Sequence, residues 1–280
     1  MKILHTVTEL RQWSRRERLA GHTVGLVPTM GALHAGHSSL IRAASDICAR
    51  VAVSIFVNPT QFAPTEDFSR YPRTFDADCS LAENEGAHVI FAPTLEELYP
   101  PGASTIIEVE GLSNRLDGQS RPGHFRGVST VVAKLLIAAE PDRAFFGQKD
   151  AAQCAVIRRM ASDLRLATEI VVCPIVRDPD GLALSSRNIY LSPAERTQAL
   201  TLSRTIGQIE ALVASGARRA STLMQAARTA FAAEPAILLD YIALVDRNTL
   251  EPAEFALPGT LFALAAYIGK TRLIDNSILA

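Results

Sequence analysis

Two histidines and two glycines lie in one short segment, Val27 to Leu40, between an apolar run and a helical pattern. His34 and His37 are three residues apart, so both imidazoles can lie on the same side of a helical turn. Gly31 and Gly36 allow the backbone to approach a ligand closely. The first N–H groups of a helix suit phosphate, because they have no intrahelical partners. The segment therefore predicts imidazole and amide donors to a polyphosphate in its transition state.

A zinc site is the main alternative for these histidines, because imidazole is a common zinc ligand. Zinc needs three or four ligands, and the sequence has neither an H-E-x-x-H motif nor a C-x-x-C pair. The remaining histidines have no paired spacing: His5, His22, His88 and His124. The segment also does not match the P-loop pattern G-x-x-x-x-G-K-[ST]. We therefore predict no metal site and no P-loop, although an H-x-x-H spacing is a weak motif by itself.

A second cluster, Phe145 to Gln153, also stands between a predicted strand and a predicted helix. Lys149 supplies a point charge, Gly147 allows close approach, and Asp150 is a candidate helix cap. Gln153 would direct an amide to the same place from one turn further on. A solvated Lys–Asp turn is the alternative for this cluster. Three other cations are expected to be ordinary surface charges: Arg121, Arg126 and Lys134.

Two more polar groups follow apolar runs. Ser185, Ser186 and Arg187 combine hydroxyls with a guanidinium, which suits a phosphate clamp, and an ordinary polar loop is the alternative. Gln61 follows a β-rich run and offers both a donor and an acceptor to an uncharged polar group. The nearby Pro59 is equally consistent with a proline that simply ends the strand.

The elements that would position these groups alternate between strands and helices. This alternation predicts a doubly wound, Rossmann-like parallel sheet in an α/β domain of residues 1–175. Ligands bind such sheets at the carboxyl ends of the strands, where the polar clusters fall. The predicted strands are 23–27, 51–57, 88–91, 105–109, 143–146 and 169–173, and the predicted helices are 40–49, 74–85, 128–139 and 151–164.

Residues 176–280 have a different pattern, which predicts a smaller α+β lid domain beyond a short hinge at Val176-Arg177. Asp178-Pro-Asp-Gly181 is typical of a hairpin turn. Ser192 and Glu195 indicate the capped start of a long helix to about residue 214. A second helix at 220–232 and strands at 239–245 and 261–267 follow.

Composition excludes several classes of partner. The 280 residues carry a net charge of −1, so no strong overall field attracts nucleic acid or anionic lipid. No apolar run approaches the roughly 20 residues of a membrane span, and the first residues lack a secretory signal. The cysteines are widely spaced, which is typical of free thiols in a reducing compartment. These features predict a cytoplasmic protein with no nucleic-acid or membrane partner.

The motifs together resemble those of the pantoate–β-alanine ligases (pantothenate synthetases), a family of the H-x-G-H nucleotidyl-transferring superfamily. Their order and spacing fit that family. The family usually has Glu at position 35, Leu at 38 and Met at 184, where this sequence has Ala, Ser and Leu. The matching stretches are PTMGALHAGH (28–37), IFVNPTQF (55–62), YPRT (71–74), HFRGV (124–128), FGQKDAAQ (146–153) and LSSRN (184–188).

The resemblance implies an ATP-dependent ligase that condenses (R)-pantoate with β-alanine to pantothenate, in the coenzyme A pathway. A pantoyl adenylate would be the intermediate, with AMP and pyrophosphate released. The resemblance also implies Mg²⁺ with the ATP, and a homodimer. Two rival functions remain open: an adenylyltransferase that moves AMP onto a phosphorylated substrate, and a nucleotide-binding sensor without chemistry.

The resemblance also assigns the site residues by position. Its catalytic residues are His34, His37, Lys149 and Arg187, and it marks His37 as a proton donor. Because phosphoryl oxygens need charge neutralisation more than a proton, we expect His37 to be a hydrogen-bond donor to the phosphate in the transition state. Substrate would contact Pro28, Thr29, Gln61 and Gln153, with Gln61 near both pantoate and β-alanine. ATP would contact Met30, Gly31, Ala32, Leu33, His34, Ala35, Gly36, His37, Gly147, Gln148, Lys149, Asp150, Val176, Leu184, Ser185, Ser186 and Arg187.

Overall fold

A parallel sheet forms the centre of the larger of two structural units. The computed structural model describes residues 1–64 and 66–280, and one unit comprises residues 1–147 and 156–174. Its strands lie in the order β1-β4-β3-β2-β5-β6, and all neighbouring pairs are parallel. This confirms the predicted doubly wound α/β fold. The strands are β1 (Lys2–Leu4), β2 (Val24–Thr29), β3 (Arg50–Ile55), β4 (Val89–Phe91), β5 (Arg143–Gly147) and β6 (Glu169–Cys173).

Seven helices connect these strands within the described residues. They are α1 (Val7–Leu19), α2 (Ala35–Ile47), α3 (Phe75–Asn84), α4 (Leu95–Leu98), α5 (Asp117–Ser120), α6 (His124–Ala139) and α7 (Ala151–Asp163). A short 3₁₀ turn, Pro59–Gln61, follows β3, and two more are Phe68–Arg70 and Leu112–Asn114. The helix α1 was not predicted, although its start carries a capping box formed by Thr6 and Glu9.

The position of β2 in the sheet explains where the candidate site lies. From β2 the chain continues to β3 on one side, whereas β5 pairs with β2 on the other side. Such a change of direction opens a crevice beyond the carboxyl ends of the strands. The residues of β2 and β3 are mostly buried apolar residues, as expected for a parallel sheet covered on both faces. The histidine segment directly follows β2.

The prediction of a strand at residues 105–109 was wrong. The Ile107 N–H donates to the Thr130 hydroxyl at 2.9 Å, and the Val109 N–H donates to the Ser113 hydroxyl at 3.2 Å. These backbone groups therefore bond to side chains instead of to a neighbouring strand. The β-branched residues of this segment reflect strand propensity alone, which context readily overrides.

The second unit comprises residues 148–155 and 175–280. Its strands β7 (Ile237–Asp246), β8 (Thr260–Ile268) and β9 (Thr271–Ile278) form an antiparallel sheet, and β9 was not predicted. Helices α8 (Pro193–Ala214) and α9 (Ala220–Ala232) share a buried apolar cluster with this sheet. Ser192 and Glu195 form the predicted capping box at the start of α8.

Residues 148–155 group with this second unit and not with the expected domain of residues 1–175. The buried amide of Asn276, on β9, explains this difference. Its Nδ2 donates to the backbone oxygens of Gln148 at 3.0 Å and Lys149 at 2.9 Å. The Gln148 Nε2 donates in return to the Asn276 Oδ1 at 3.3 Å. Because these bonds join positions 128 and 127 residues apart, the local sequence pattern could not reveal them.

Candidate active site

The turn after β2 is fixed to the neighbouring strand. The Thr29 hydroxyl donates to the backbone oxygen of Ser54, on β3, at 2.7 Å, and it accepts the Gly31 N–H at 3.1 Å. Both Thr29 and Ser54 are buried. The chain then turns through left-handed conformations at Gly31 (φ +79°) and Ala32 (φ +50°). A side chain at position 31 would also meet neighbouring atoms at 3.0 and 3.1 Å, which explains the glycine.

A buried carboxylate holds the strained part of this turn. Asp78, in the first turn of α3, accepts the Ala32 N–H at 2.9 Å and the Leu33 N–H at 2.8 Å. The Thr74 hydroxyl donates to the same carboxylate at 2.9 Å. The sequence indicated Asp78 only as an acidic residue that stabilises a helix start. No sequence signal connects it with a loop 45 residues earlier.

The two histidine rings lie together at the start of α2. The His34 Nδ1 accepts the Gly36 N–H at 3.1 Å, and the His37 Nδ1 accepts the His34 N–H at 3.3 Å. Their ring centroids are 4.2 Å apart. A backbone N–H can only donate, so both Nδ1 atoms are unprotonated and both rings are Nε2–H tautomers. The turn thus holds two neutral imidazole donors side by side at the first turn of a helix.

The side chain of Gln61 is buried and held in one orientation. Its Oε1 accepts from the Asn58 Nδ2 at 3.1 Å, and its Nε2 donates to the Met30 Sδ at 3.1 Å. Asn58 is itself buried and also donates to the Gly127 oxygen at 3.2 Å. The thioether is a weak acceptor, so a stronger acceptor in a ligand can displace it. The contact between Gln61 and Met30 thereby joins the motif IFVNPTQF (55–62) to the motif PTMGALHAGH (28–37).

Arg121 is not the ordinary surface charge that we expected, because it clamps the Pro59–Gln61 turn. It forms an ion pair with Glu66, with an Nε–Oε1 distance of 2.7 Å, and donates to the Gln61 backbone oxygen at 3.3 Å. The His124 Nδ1 donates to the same oxygen at 2.8 Å, and its Nε2 accepts from Arg121 at 3.0 Å. His124 is therefore a neutral Nδ1–H tautomer.

Lys134 also departs from the expected surface role. Its Nζ donates to the Leu98 backbone oxygen at 2.6 Å and lies 4.8 Å from the centroid of the Tyr99 ring. Arg126 is exposed, as expected. Lys134 therefore ties α6 to the end of α4 and to Tyr99, which follows it.

Gly127 is the point where α6 meets this turn, and we predict that Gly127→Ala separates them. A Cβ at this position would lie 2.4 Å from the Thr60 backbone oxygen and 2.7 Å from the Gln61 N. Overpacking of this kind costs about 1–3 kcal/mol, so thermal denaturation should show a lower Tm. Gly207→Ala is the matched control, because a Cβ there meets nothing within 4 Å and helical Ala is favoured over Gly. An unchanged Tm in Gly127→Ala would contradict the packing described.

His124 also predicts how stability depends on pH. Burial and the neighbouring Arg121 lower its pKa from 6.5 to about 4, against the opposing effects of the Gln61 oxygen, Asp117 and Glu66. Between these values the unfolded chain binds the proton and the folded chain does not. The free energy of unfolding should therefore fall as the pH falls from about 6.5 to about 4.

Chemical denaturation across this pH range, compared with His124→Gln, measures that contribution. The glutamine amide can still donate to Gln61 and accept from Arg121, but it does not titrate. We expect a shallower pH dependence in the variant. Identical pH profiles would show that His124 does not contribute.

The smaller unit carries the other predicted site residues. The Leu184 N–H donates to the Val176 oxygen at 3.0 Å, so the predicted hinge and the start of the LSSRN motif are adjacent. Ser185 precedes a 3₁₀ turn, Ser186–Tyr190, and its hydroxyl accepts the Arg187 N–H at 3.2 Å. The predicted turn at 178–181 is present, with the Gly181 N–H donating to the Asp178 oxygen at 2.8 Å.

An ion pair at the start of this segment anchors it to β9. Arg177 donates to both oxygens of the buried Asp275, at 2.6 and 2.8 Å, and this hydrogen-bonded carboxylate raises the pKa of the guanidinium. Arg177 also donates to the Gly181 oxygen at 3.2 Å. The sequence suggested only a hinge here.

The predicted residues thus form two groups, one in each unit. The larger unit holds Pro28 to His37 with Gln61, and Gly147 ends its strand β5. The smaller unit holds Gln148, Lys149 and Asp150 before α7 and Gln153 on α7, as well as Val176 and Leu184 to Arg187. The Lys149 Nζ is 3.9 Å from the Asp150 Oδ1, a weak ion pair. Among residues 1–64 and 66–280, no group of three potential metal ligands occurs.

The parallel sheet and the paired imidazoles define an α/β protein with an H-x-G-H segment directly after β2. The model of the pantoate–beta-alanine ligase family matches residues 2–278. A pantothenate synthetase from Acidobacterium capsulatum is 54% identical, covering 100% of this chain and 97% of the relative, and one from Koribacter versatilis is 52% identical, covering 100% and 96%. The chain therefore belongs to the pantoate–beta-alanine ligase family.

Solved structures agree with this assignment. The pantothenate synthetase of Thermus thermophilus has a TM-score of 0.94 at 43% identity, covering 99% of each chain. The pantoate–beta-alanine ligase of Francisella tularensis, solved in complex with beta-gamma ATP and beta-alanine, has a TM-score of 0.77 at 35% identity, covering 99% of this chain and 97% of that one. Among the described residues, no helix has the length and apolar character to cross a membrane.

Proposed function

We propose that this enzyme joins (R)-pantoate to β-alanine in two steps, using ATP. In the first step, a pantoate carboxylate oxygen attacks the α-phosphorus of ATP, and pyrophosphate leaves. In the second step, the β-alanine amine attacks the acyl carbon of pantoyl adenylate, and AMP leaves as pantothenate forms. The observation that carries the proposal is the pair of Nε2–H imidazoles in the segment after β2, whose Met30 contacts the buried Gln61. Family membership and the ligands of the Francisella structure support it.

Electrostatic stabilisation is the main demand of the first step, because a carboxylate must approach a triphosphate. Charge builds on the phosphoryl oxygens in the transition state, and positioned donors stabilise it. We assign this role to the Nε2–H groups of His34 and His37. Since both rings are already neutral donors, His37 acts as a hydrogen-bond donor to the phosphate without transferring a proton. The N–H groups at the start of α2 add to the same field.

Pantoate is assigned to the surroundings of Gln61, next to the turn after β2. Gln61 turns its Nε2 donor toward Met30, and pantoate would replace the weak thioether acceptor. Pro28, Thr29 and Gln153 are proposed as further contacts of the same substrate. β-Alanine would then approach near Gln61.

The proposed ATP contacts include Met30 to His37 and Gly147. Lys149 and Arg187 are proposed to supply the cations, since a guanidinium suits bidentate phosphate binding. The remaining proposed contacts are Gln148, Asp150, Val176, Leu184, Ser185 and Ser186.

The reaction needs no protein nucleophile. Burial raises the pKa of the thiols of Cys48 and Cys173, so neither is an activated thiolate. The amine itself attacks the activated acyl group. Catalysis therefore consists of positioning and electrostatics.

Mg²⁺ is proposed to enter with ATP. Mg²⁺ prefers oxygen ligands and keeps several waters, so substrate phosphates usually complete its coordination. The described residues offer no three-ligand cluster, which fits a metal ion that arrives with the nucleotide and not one caged by protein. We further propose a homodimer that works in the reducing cytoplasm. The four free cysteines support that compartment.

Isotope exchange tests the function directly. Incubation with ATP, pantoate and labelled pyrophosphate should move label into ATP only when pantoate is present. Adding β-alanine should then give AMP and pantothenate. Absence of pantoate-dependent exchange would reject the ligase. A nucleotide-binding sensor would bind ATP but give no AMP with both substrates, and an adenylyltransferase would require a phosphorylated acceptor.

A further inference from the structure

Asp78 is a buried carboxylate whose hydrogen-bond partners are uncharged. It is 2% exposed and lies in the first turn of α3. Its Oδ2 accepts the Ala32 N–H at 2.9 Å, while its Oδ1 accepts the Leu33 N–H at 2.8 Å and the Thr74 hydroxyl at 2.9 Å. A buried carboxylate is costly unless hydrogen bonds compensate for its lost hydration. Two of these three compensating donors belong to the turn after β2.

The turn depends on the carboxylate in return. Gly31 and Ala32 both have positive φ angles, and this conformation is unfavourable for alanine. Charge-assisted hydrogen bonds to a buried group are among the stronger ones in proteins. Asp78 therefore holds a backbone conformation that the local sequence does not favour.

This conformation determines where the imidazoles lie. His34 directly follows Leu33, and its N–H donates to the His37 Nδ1 at 3.3 Å. The His34 Nδ1 accepts the Gly36 N–H at 3.1 Å. A continuous path of peptide groups and hydrogen bonds thus runs from Asp78 through residues 32 and 33 to both rings. We propose that Asp78 is a positioning residue that sets the two Nε2–H donors. Their phosphate-binding role rests on the proposed function.

Asparagine is the informative replacement, because it has nearly the same shape but only one acceptor oxygen. If its Nδ2 took the place of Oδ2, it would face the Ala32 N–H, and two donors would oppose each other. If it took the place of Oδ1, it would face the Leu33 N–H instead. Either orientation therefore releases one of the two peptide groups.

We expect Asp78→Asn to lower the kcat of pantoate-dependent pyrophosphate exchange by roughly 10-fold to 10²-fold, as expected for donors misplaced by about 1 Å. The KM for pantoate should change less than about 3-fold, because Asn58 and Met30 hold the Gln61 amide, whereas Asp78 accepts from residues 32 and 33. Asp76→Asn is the matched control. Asp76 is exposed in the same helical turn, so its replacement removes the same charge without touching residues 32 and 33. It should retain the wild-type kcat.

Nuclear magnetic resonance gives a readout that general destabilisation would not reproduce. In folded Asp78→Asn, at least one of the Ala32 and Leu33 amide proton shifts should move toward values for weaker hydrogen bonds. The side-chain ¹⁵N shifts of His34 and His37 should lose the uniform Nε2–H pattern. A folded variant with wild-type kcat would overturn the proposal, as would a lower kcat with unchanged amide and imidazole shifts.

Thr74→Val keeps the test decisive if Asp78→Asn does not fold. This variant removes one donor to Oδ1 and leaves the carboxylate in place. It should shift the Leu33 amide and lower kcat a few-fold, and the absence of both changes would overturn the proposal. The resonance data also separate this inference from the proposed function. If the wild-type protein shows no exchange, the ligase is rejected while the amide and imidazole shifts still decide the role of Asp78.

Discussion

Replacing His37 with alanine is expected to lower the rate of pantoate-dependent pyrophosphate exchange by a factor on the order of 10² to 10³. The His37 Nδ1 accepts the His34 N–H, so its proton is on Nε2, where a phosphate oxygen can accept it. Loss of one such donor removes a hydrogen bond that strengthens as charge develops on the phosphoryl group. The effect should appear in kcat more than in the KM for ATP, because the stabilisation belongs to the transition state.

His88→Ala is the matched control for this prediction. The His88 Nδ1 also accepts a backbone N–H, from Val51 at 3.1 Å, so both histidines make the same kind of bond. His88 directly precedes β4, at the opposite end of the strands from the turn after β2. The His88→Ala variant should therefore keep the wild-type rate of pyrophosphate exchange even if it is less stable. Near-wild-type exchange in His37→Ala, or an equal loss in His88→Ala, would contradict the assigned role.

The sequence predicted the paired histidines because their placement depends on local rules. A spacing of three residues brings two rings together on a helical turn, and a strand before them places that turn at the edge of the sheet. The apolar composition of β2 and β3 likewise indicates their burial directly. In such segments the information lies within a few consecutive residues.

The features that the sequence could not reveal depend on distant partners. Asp78 reaches the turn after β2 across 46 positions, and Arg121 reaches the Gln61 oxygen across 60. From the sequence alone, Asp78 and Arg121 each resemble an ordinary charged residue in a helix or loop. The strand prediction for residues 105–109 was wrong for a related reason. The Ile107 N–H donates to the Thr130 hydroxyl instead of to a neighbouring strand. Strand β9 was missed because its TRLIDNSI run is largely polar, although β8 pairs with it along its whole length.

The residues predicted from the sequence and the residues that only the structure reveals have different roles in the site. The predicted residues carry the donors and charges proposed to touch the ligands, whereas Asp78, Asn58, Arg121 and His124 hold the backbone or amides that aim them. A network in which each polar group has a partner can fix one orientation of a side chain. This explains why substitutions that never touch substrate are expected to change the kinetics.

Gln61→Ala should weaken pantoate binding far more than ATP binding. The wild-type amide is oriented by Asn58, with its Nε2 held beside Met30. Truncation removes this donor and leaves buried polar groups of the substrate unpaired, at a cost of about 1–3 kcal/mol. The KM for pantoate should therefore rise by roughly 10-fold to 10²-fold, while the KM for ATP stays nearly constant.

Gln61→Glu sharpens this test, because it keeps the shape and the oxygen that accepts from Asn58. It replaces the Nε2 donor with an acceptor and adds a negative charge near the pantoate carboxylate, so it should bind pantoate no better than the alanine variant. Both variants are measured in the exchange assay at saturating ATP and then at saturating pantoate. Equal weakening of the two substrates would mean that Gln61 supports the whole turn and not the pantoate pocket. A glutamate variant with wild-type pantoate affinity would mean that the Nε2 donor is not used.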